Sequence, residues 1–221
     1  RIYDNIRTAM AYIIAVHVPI AGLSLVPVLL GWPLILLPVQ IVFLELIIDP
    51  ACSVVFEAEK EEPGIMERPP RKRTDRALDK PTVTIALAQG FVALAVVLAV
   101  YQSGARAGLS ADQLRTLACV TIVVANLALI CTNRSWTESM VASFRRPNRA
   151  FWWVIGGAIL FLAAVLVVPA FRDLFQFAPV SPEMLLTAAV AGVLSVLWFE
   201  LYKLFIAGRK QDITPVPGSN D

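Results

Sequence analysis

The sequence is short of charge: only 16% of its 221 residues are Asp, Glu, Lys or Arg, against about a quarter in average soluble domains. It holds one histidine, His17, and three cysteines. Cys52, Cys119 and Cys131 have no metal-ligand spacing and imply no disulfide framework; they read as small buried hydrophobes. The net charge of +2 gives no basis for a nucleic-acid partner, and none is expected. Long stretches of alternating polarity are missing too, which argues against a transmembrane β-barrel. The first residues show no signal-peptide pattern, and the chain starts at Arg1, so it is expected to be a piece of something longer.

What is present in excess is hydrocarbon. Hydrophobic residues make up 57% of the chain and cluster in runs of the length a bilayer core of about 30 Å demands of a helix. Six spans are predicted: Ile6–Leu30, Leu34–Phe56, Thr82–Tyr101, Leu114–Cys131, Ala150–Val168 and Glu183–Ile206. The first two are joined by a tight Gly31-Trp32-Pro33 turn. All spans should be helical, because lipid offers no partner for free backbone groups. The fold class is therefore all-α, a polytopic membrane bundle of six transmembrane helices. It divides into a first helix pair (1–56), a charged loop (57–80), a four-helix membrane portion (81–206) and a polar, flexible tail (207–221).

The basic residues orient this bundle. Arg1 and Arg7 precede the first span. Lys60 to Lys80 follow the second, Arg134 to Arg149 the fourth, and Lys203, Arg209 and Lys210 close the sixth. Only Arg106, Arg115 and Arg172 fall on the other side. By the positive-inside rule both termini are cytoplasmic. Trp32, Tyr101, Trp136, Trp152, Trp153, Trp198 and Tyr202 sit near span ends as interface anchors.

Polar groups inside the spans carry the functional signal. Glu45 and Asp49 lie in the second span, one helical turn apart and just ahead of Pro50. Each ionised carboxylate costs about 2.5–3.5 kcal/mol at mid-membrane on insertion scales, and like charges so close resist joint ionisation. A bound cation or proton relieves both penalties. Pro50 is expected to break the helix and free carbonyl oxygens beside the carboxylates, as hard cations require. Pro19 is expected to interrupt the first span in the same way, beside His17, which could be a ligand, a counter-charge or a helix–helix hydrogen bond. Asn126, mid-span in the fourth helix, reads equally as ligand or as interhelical glue; Gln89 reads as glue. Glu200 and Lys203 read as a structural pair.

These residues resemble a known family. The chain is similar to the C-terminal membrane region of P-type cation-transporting ATPases of the calcium-pump type. Arg1-Ile2-Tyr3-Asp4-Asn5-Ile6 looks like the entry to the family's fifth membrane helix. Leu37-Pro38-Val39-Gln40 through Asp49-Pro50 resembles the sixth, and Ile65-Met66-Glu67-Arg68-Pro69-Pro70-Arg71 the loop after it. The resemblance implies that Asp49 is the central ion-binding aspartate, that Glu45 and His17 stand at ligand positions occupied by Asn in calcium pumps, and that Asn126 lies near a ligand-bearing stretch. It also implies departures: Ile20, Val123 and Ile48 stand where those pumps carry ligands, so at least one of two calcium sites is missing. The metal-ligand set expected is Asp49, Glu45, His17 and Asn126, with the transported cation unassigned.

The resemblance further implies Mg²⁺ and ATP for a full-length pump, though no cofactor in this chain, and a soluble phosphorylation domain and upstream helices as partners alongside the lipid bilayer. Met66 to Arg71 would contact that phosphorylation domain. Asp79-Lys80-Pro81-Thr82 only imitates the family's phosphorylation motif and lacks its glycine. Catalysis is not expected of this chain alone. The expected location is the plasma membrane. A stand-alone secondary transporter or channel, or a purely structural membrane subunit, remain as alternatives.

Overall fold

A computed structural model describes residues 2–59, 78–135 and 147–211, with the helix backbone alone for 206–211. Met66 to Arg71, Trp136 and the tail from residue 212 lie outside the described residues.

The described chain is all-helical. It runs α1 (Ile2–Leu30), α2 (Pro38–Pro50, continued by a π-helical turn Ala51–Val55), α3 (Lys80–Arg106), α4 (Ala111–Asn133), α5 (Arg149–Val167), the short α6 (Pro169–Leu174) and α7 (Pro182–Gln211). Six of these are long and apolar enough to cross a membrane, as the apolar runs predict. The short α6 lies in a stretch read from sequence as loop.

Local chemistry sets the helix ends. Gly31 has φ +66°, and the Trp32 N–H donates to the Pro27 carbonyl at 2.9 Å, closing α1 with the left-handed glycine that such stops favour. The link to α2 is longer than the predicted turn, because α2 begins only at Pro38, a residue suited to the first helical position. Leu37 before it is extended, at φ −95° and ψ 163°, as a residue preceding proline tends to be. Asp79 caps α3 by accepting from the Thr82 N–H at 3.0 Å and pairs with Arg7 of α1 at 3.2 Å. The Thr82 hydroxyl, the Thr82 N–H and the Arg7 guanidinium together hold the Asp79 carboxyl below its ordinary range, outweighing the opposing pull of partial burial. A helix cap, not a phosphoryl acceptor, is thus what the Asp79-Lys80-Pro81-Thr82 string builds.

The two prolines do not break their helices. α1 runs unbroken through Pro19 and Pro27. α2 keeps helical geometry through Asp49 and Pro50, and the Ala51 N–H reaches back to the carbonyls of both Ile47 and Ile48. The lost N–H of Pro50 is accommodated by widening the next turn: the Phe56 N–H donates to the Ala51 carbonyl at 3.0 Å, a π-type step of five residues.

α4 is the central helix. From Leu114 to Asn133 every residue except Val124 is buried, as expected for a helix that is apolar all round. It packs mainly against α7 and α3, and α3 packs against α1. Close approach uses glycine. A Cβ on Gly90 would stand 2.6 Å from the Ala15 carbonyl oxygen, the acceptor that Pro19 deprives of its helical donor. Gly90→Ala is therefore expected to push α3 off α1 and cost about 1–3 kcal/mol, read as a lower thermal midpoint of the detergent-solubilised protein. An unchanged midpoint would show that the two helices are not so tightly seated.

Hydrogen bonds pin both ends of the antiparallel bundle. At the end holding the start of α1, Asn5 donates to the carbonyls of Glu57 and Glu59, and Lys203 of α7 donates to those of Thr132 and Ser135. Lys203 also pairs with Glu200 at 2.6 Å, and the Thr132 hydroxyl donates to the same carboxylate, so the predicted structural pairing of these two residues is observed. At the opposite end Arg115 donates to Asp112, to the Gln176 carbonyl and to the Leu34 carbonyl. Gln40, fully buried, donates to the Phe175 carbonyl.

Candidate cation site between the first two helices

The four residues expected to bind the cation do not all come together. His17 and Glu45 do, although 28 positions separate them, because α1 and α2 lie side by side. The His17 Nε2 stands 3.6 Å from the Glu45 Oε1. The other ring nitrogen, Nδ1, lies 2.8 Å from the Ile13 carbonyl oxygen one turn back. A carbonyl can only accept, so Nδ1 is the donor and carries hydrogen. The remaining nitrogen, Nε2, is the one turned toward the carboxylate. A hydrogen bond of this kind on the far nitrogen is what orients imidazoles in metal sites.

Asp49 is one turn further along α2, on the exposed side of the helix. Among the described residues it makes no ion pair, and its backbone carbonyl accepts from the Ser53 hydroxyl at 2.7 Å. The His17 and Glu45 side chains are 49% and 37% exposed, so all three groups stand on an open flank of the α1–α2 pair. Cys52, three residues beyond Asp49, is half-buried and lines a cavity of about 370 Å³ with Asn5, Ala9 and Glu57 at the end of the bundle where α1 begins.

Asn126 is elsewhere. It is fully buried within α4, and neither its Oδ1 nor its Nδ2 has a hydrogen-bond partner among the described residues. No described contact joins it to His17, Glu45 or Asp49. Gln89 does act between helices, accepting from the Asn133 side chain at 3.3 Å. The three positions where the resemblance predicts missing ligands are packed hydrocarbon: Ile20, Ile48 and Val123 are all buried. Among the described residues no three His, Cys, Asp or Glu side chains converge into a ready-made metal cluster. The arrangement is a pair, His17 and Glu45, with a second carboxylate one turn away.

Comparison with known proteins decides the family. The signature described as "Cation transporting ATPase, C-terminus" matches residues 33–205, well over half the chain. This chain belongs to that family. As a cation-ATPase C-terminal domain it is similar along most of its length to calcium-transporting ATPase 1 of Yarrowia lipolytica, at 24% identity over 94% of this chain and 22% of the relative. It is also similar to the calcium-transporting ATPase of Bacillus subtilis, at 27% identity over 82% of this chain and 20% of that protein. Human calcium-transporting ATPase type 2C member 1 matches at 22% identity over 79% of this chain and 19% of that protein. The domain thus spans about a fifth of the length of these relatives. Its six apolar helices make it a multi-pass membrane domain of a P-type cation ATPase.

Proposed function

We propose that this domain is the ion-translocating part of a pump that moves a divalent cation, with Asp49 and Glu45 as the charged ligands, His17 as a third donor, and Asn126 as a buried amide that enters the coordination shell in another access state. The observation that carries the reading is the His17–Glu45 pair. Nε2 and Oε1 are both electron-pair donors once Nδ1 holds the ring hydrogen, and a cation between them satisfies both. At 3.6 Å apart the two donors are close enough for one cation to take a bond of about 2.1–2.2 Å from each.

The relatives' names attach calcium to them. Here the imidazole and the hydrocarbon at Ile20, Val123 and Ile48 favour one site with a mixed nitrogen–oxygen donor set, which a first-row transition-metal cation such as Mn²⁺ tolerates better than Ca²⁺, whose ligands are oxygens. The open flank carrying His17, Glu45 and Asp49 is where the rest of the pump would close over the ion and supply further donors. Mg²⁺, ATP and the phosphorylation domain would belong to other parts of the full-length protein; the Asp79-Lys80 string caps a helix. Both termini would face the cytoplasm, with the membrane being the plasma membrane.

A cation screen of phosphoenzyme formation from ATP by the full-length protein tests this. We expect Mn²⁺ to support phosphorylation at least as well as Ca²⁺, and His17→Asn to shift the preference toward Ca²⁺ by roughly tenfold, the scale on which single metal-site groups act. Phosphorylation indifferent to every divalent cation, with proton flux through the protein, would point to a proton pathway instead.

A further inference from the structure

Glu59 follows α2, is buried, and takes no part in the site above. Its Oε1 accepts from the Arg134 Nε and, at 2.7 Å, from the Asn148 Nδ2. Arg134 is the residue after α4; its side chain is only 1% exposed, and its guanidinium stacks 4.3 Å from the Phe151 ring centroid of α5. Asn148 is the N-cap of α5, accepting from the Phe151 N–H at 3.1 Å. Its Nδ2 also donates to the Val55 carbonyl at 2.9 Å. Asn5 of α1 donates to the carbonyls of Glu57 and Glu59 just beyond Val55. The ends of α1, α2, α4 and α5 therefore meet on one short stretch of chain.

Val55 is the last residue of the π-helical turn, and that turn starts directly after Pro50. A π turn carries one residue more than an α turn. Returning it to α geometry would rotate one side of the helix against the other by about 100°, the angle per residue of an α-helix. Whatever fixes the far side of the turn therefore decides which way Glu45 and Asp49 face. The contacts of Val55 and Glu59 with Asn148 and Arg134 fix that far side.

We infer that Glu59, Arg134 and Asn148 form a positioning clamp for the cation ligands: they hold the π register of Ala51–Val55 and thereby set the face of α2 on which Glu45 and Asp49 stand. This rests on the pump reading for its functional consequence. A buried ion pair could equally be general bundle glue, and the molecule contains its own control. Glu200 and Lys203 are similarly buried and tie α7 to α4 through Thr132 and Ser135, and among the described residues their bonds do not reach α2.

The test compares three full-length variants with wild type. Asn148→Ser keeps a good helix cap and removes the amide donor to Val55 and Glu59. Glu59→Gln combined with Arg134→Gln removes both charges of the pair together. Glu200→Gln is the control. Two quantities are read: the cation concentration giving half-maximal phosphoenzyme together with the maximal level, and the rate at which a maleimide alkylates Cys52, the half-buried thiol inside the π turn; Cys119 and Cys131 are buried.

The first two variants are expected to need roughly tenfold more cation, as when a group orienting a metal ligand is lost. Their maximal phosphoenzyme should stay within about twofold of wild type, and their Cys52 alkylation rate should change several-fold. Glu200→Gln should change neither. Wild-type affinity and wild-type Cys52 reactivity in Asn148→Ser and in the double variant would overturn the clamp, as would an equal shift in Glu200→Gln. Should wild type itself respond to no cation, the pump reading falls, and Cys52 reactivity alone still decides the clamp.

Discussion

Replacing Asp49 by Asn in the full-length protein is expected to abolish cation-stimulated phosphorylation at cation concentrations that saturate wild type. Glu45→Gln should do nearly the same. Both changes keep the side chain's size and one carbonyl donor, and remove only the charge. A divalent cation about 2.4 Å from a carboxylate gains roughly 14 kcal/mol at an effective dielectric of about 20, most of it offset by desolvation of both ions. If only a fifth survives as net affinity, about 3 kcal/mol, its loss weakens binding more than 100-fold. Asp49 stands exposed on α2 and Glu45 half-buried, so neither substitution leaves a buried charge unpaired, and the variants should insert and fold. Glu45→Gln also strips His17 of its carboxylate partner, which separates it from Asp49→Asn in a cation series: discrimination between Mn²⁺ and Ca²⁺ should narrow in the first and persist in whatever residual binding the second retains. Normal cation dependence in both variants would remove these residues from the site.

The largest expected effect on stability is at the other end of the bundle. Arg115→Leu removes a buried guanidinium that donates to the Asp112 carboxylate at 2.6 Å, the Gln176 carbonyl at 2.9 Å and the Leu34 carbonyl at 3.3 Å. Those bonds tie the α1–α2 link and the segment before α7 to the start of α4. The acceptors are only part-buried, the Asp112 side chain being 55% exposed, so the loss is that of three hydrogen bonds at about 1–1.5 kcal/mol each, roughly 3–4 kcal/mol together. That is a large share of the roughly 5–15 kcal/mol that holds a protein folded. For a chain of this size it corresponds to a drop of about 6–12 °C or more in thermal midpoint. Arg106, exposed at the end of α3, is the control: Arg106→Leu should stay within about 0.5 kcal/mol of wild type. Equal midpoints for the two variants would mean that the Arg115 bonds contribute nothing net.

Arg115 also shows where sequence reading reaches its limit. Counted along the chain, it is a minority basic residue on the poorly charged side of the bundle and carries only topological meaning. Its carbonyl partners lie at Leu34 and Gln176, 81 and 61 positions away, and nothing in the residue types marks those carbonyls as needing a donor. The same holds for Glu59, which pairs with Arg134 and Asn148 across 75 and 89 positions; in sequence all three sit in or beside loops. Pro19 and Pro50 are a different case. Proline chemistry is local, and it correctly marks the points where a carbonyl loses its donor. Whether the helix then breaks, bends or widens depends on neighbours. Around Pro19 α1 stays continuous, with Gly90 seated closely against the Ala15 carbonyl, and after Pro50 the Asn148 amide meets the last carbonyl of a π turn.

What the sequence by itself determined is the solvent and the cost: six apolar runs that lie in a bilayer as helices, and two carboxylates one turn apart in the second of them, where ionisation is expensive. Those follow from composition and spacing along one helix, which are local. Only the tertiary structure decided which groups share a site. It brought His17 to Glu45, set Asn126 apart from them, and filled the positions of Ile20, Ile48 and Val123 with core. The reason is that proximity between helices depends on their phase and crossing. Here the helices meet through distant contacts, among them the Gly90 seat on Ala15 and the bonds of Glu59 to Arg134 and Asn148, that no single helix contains.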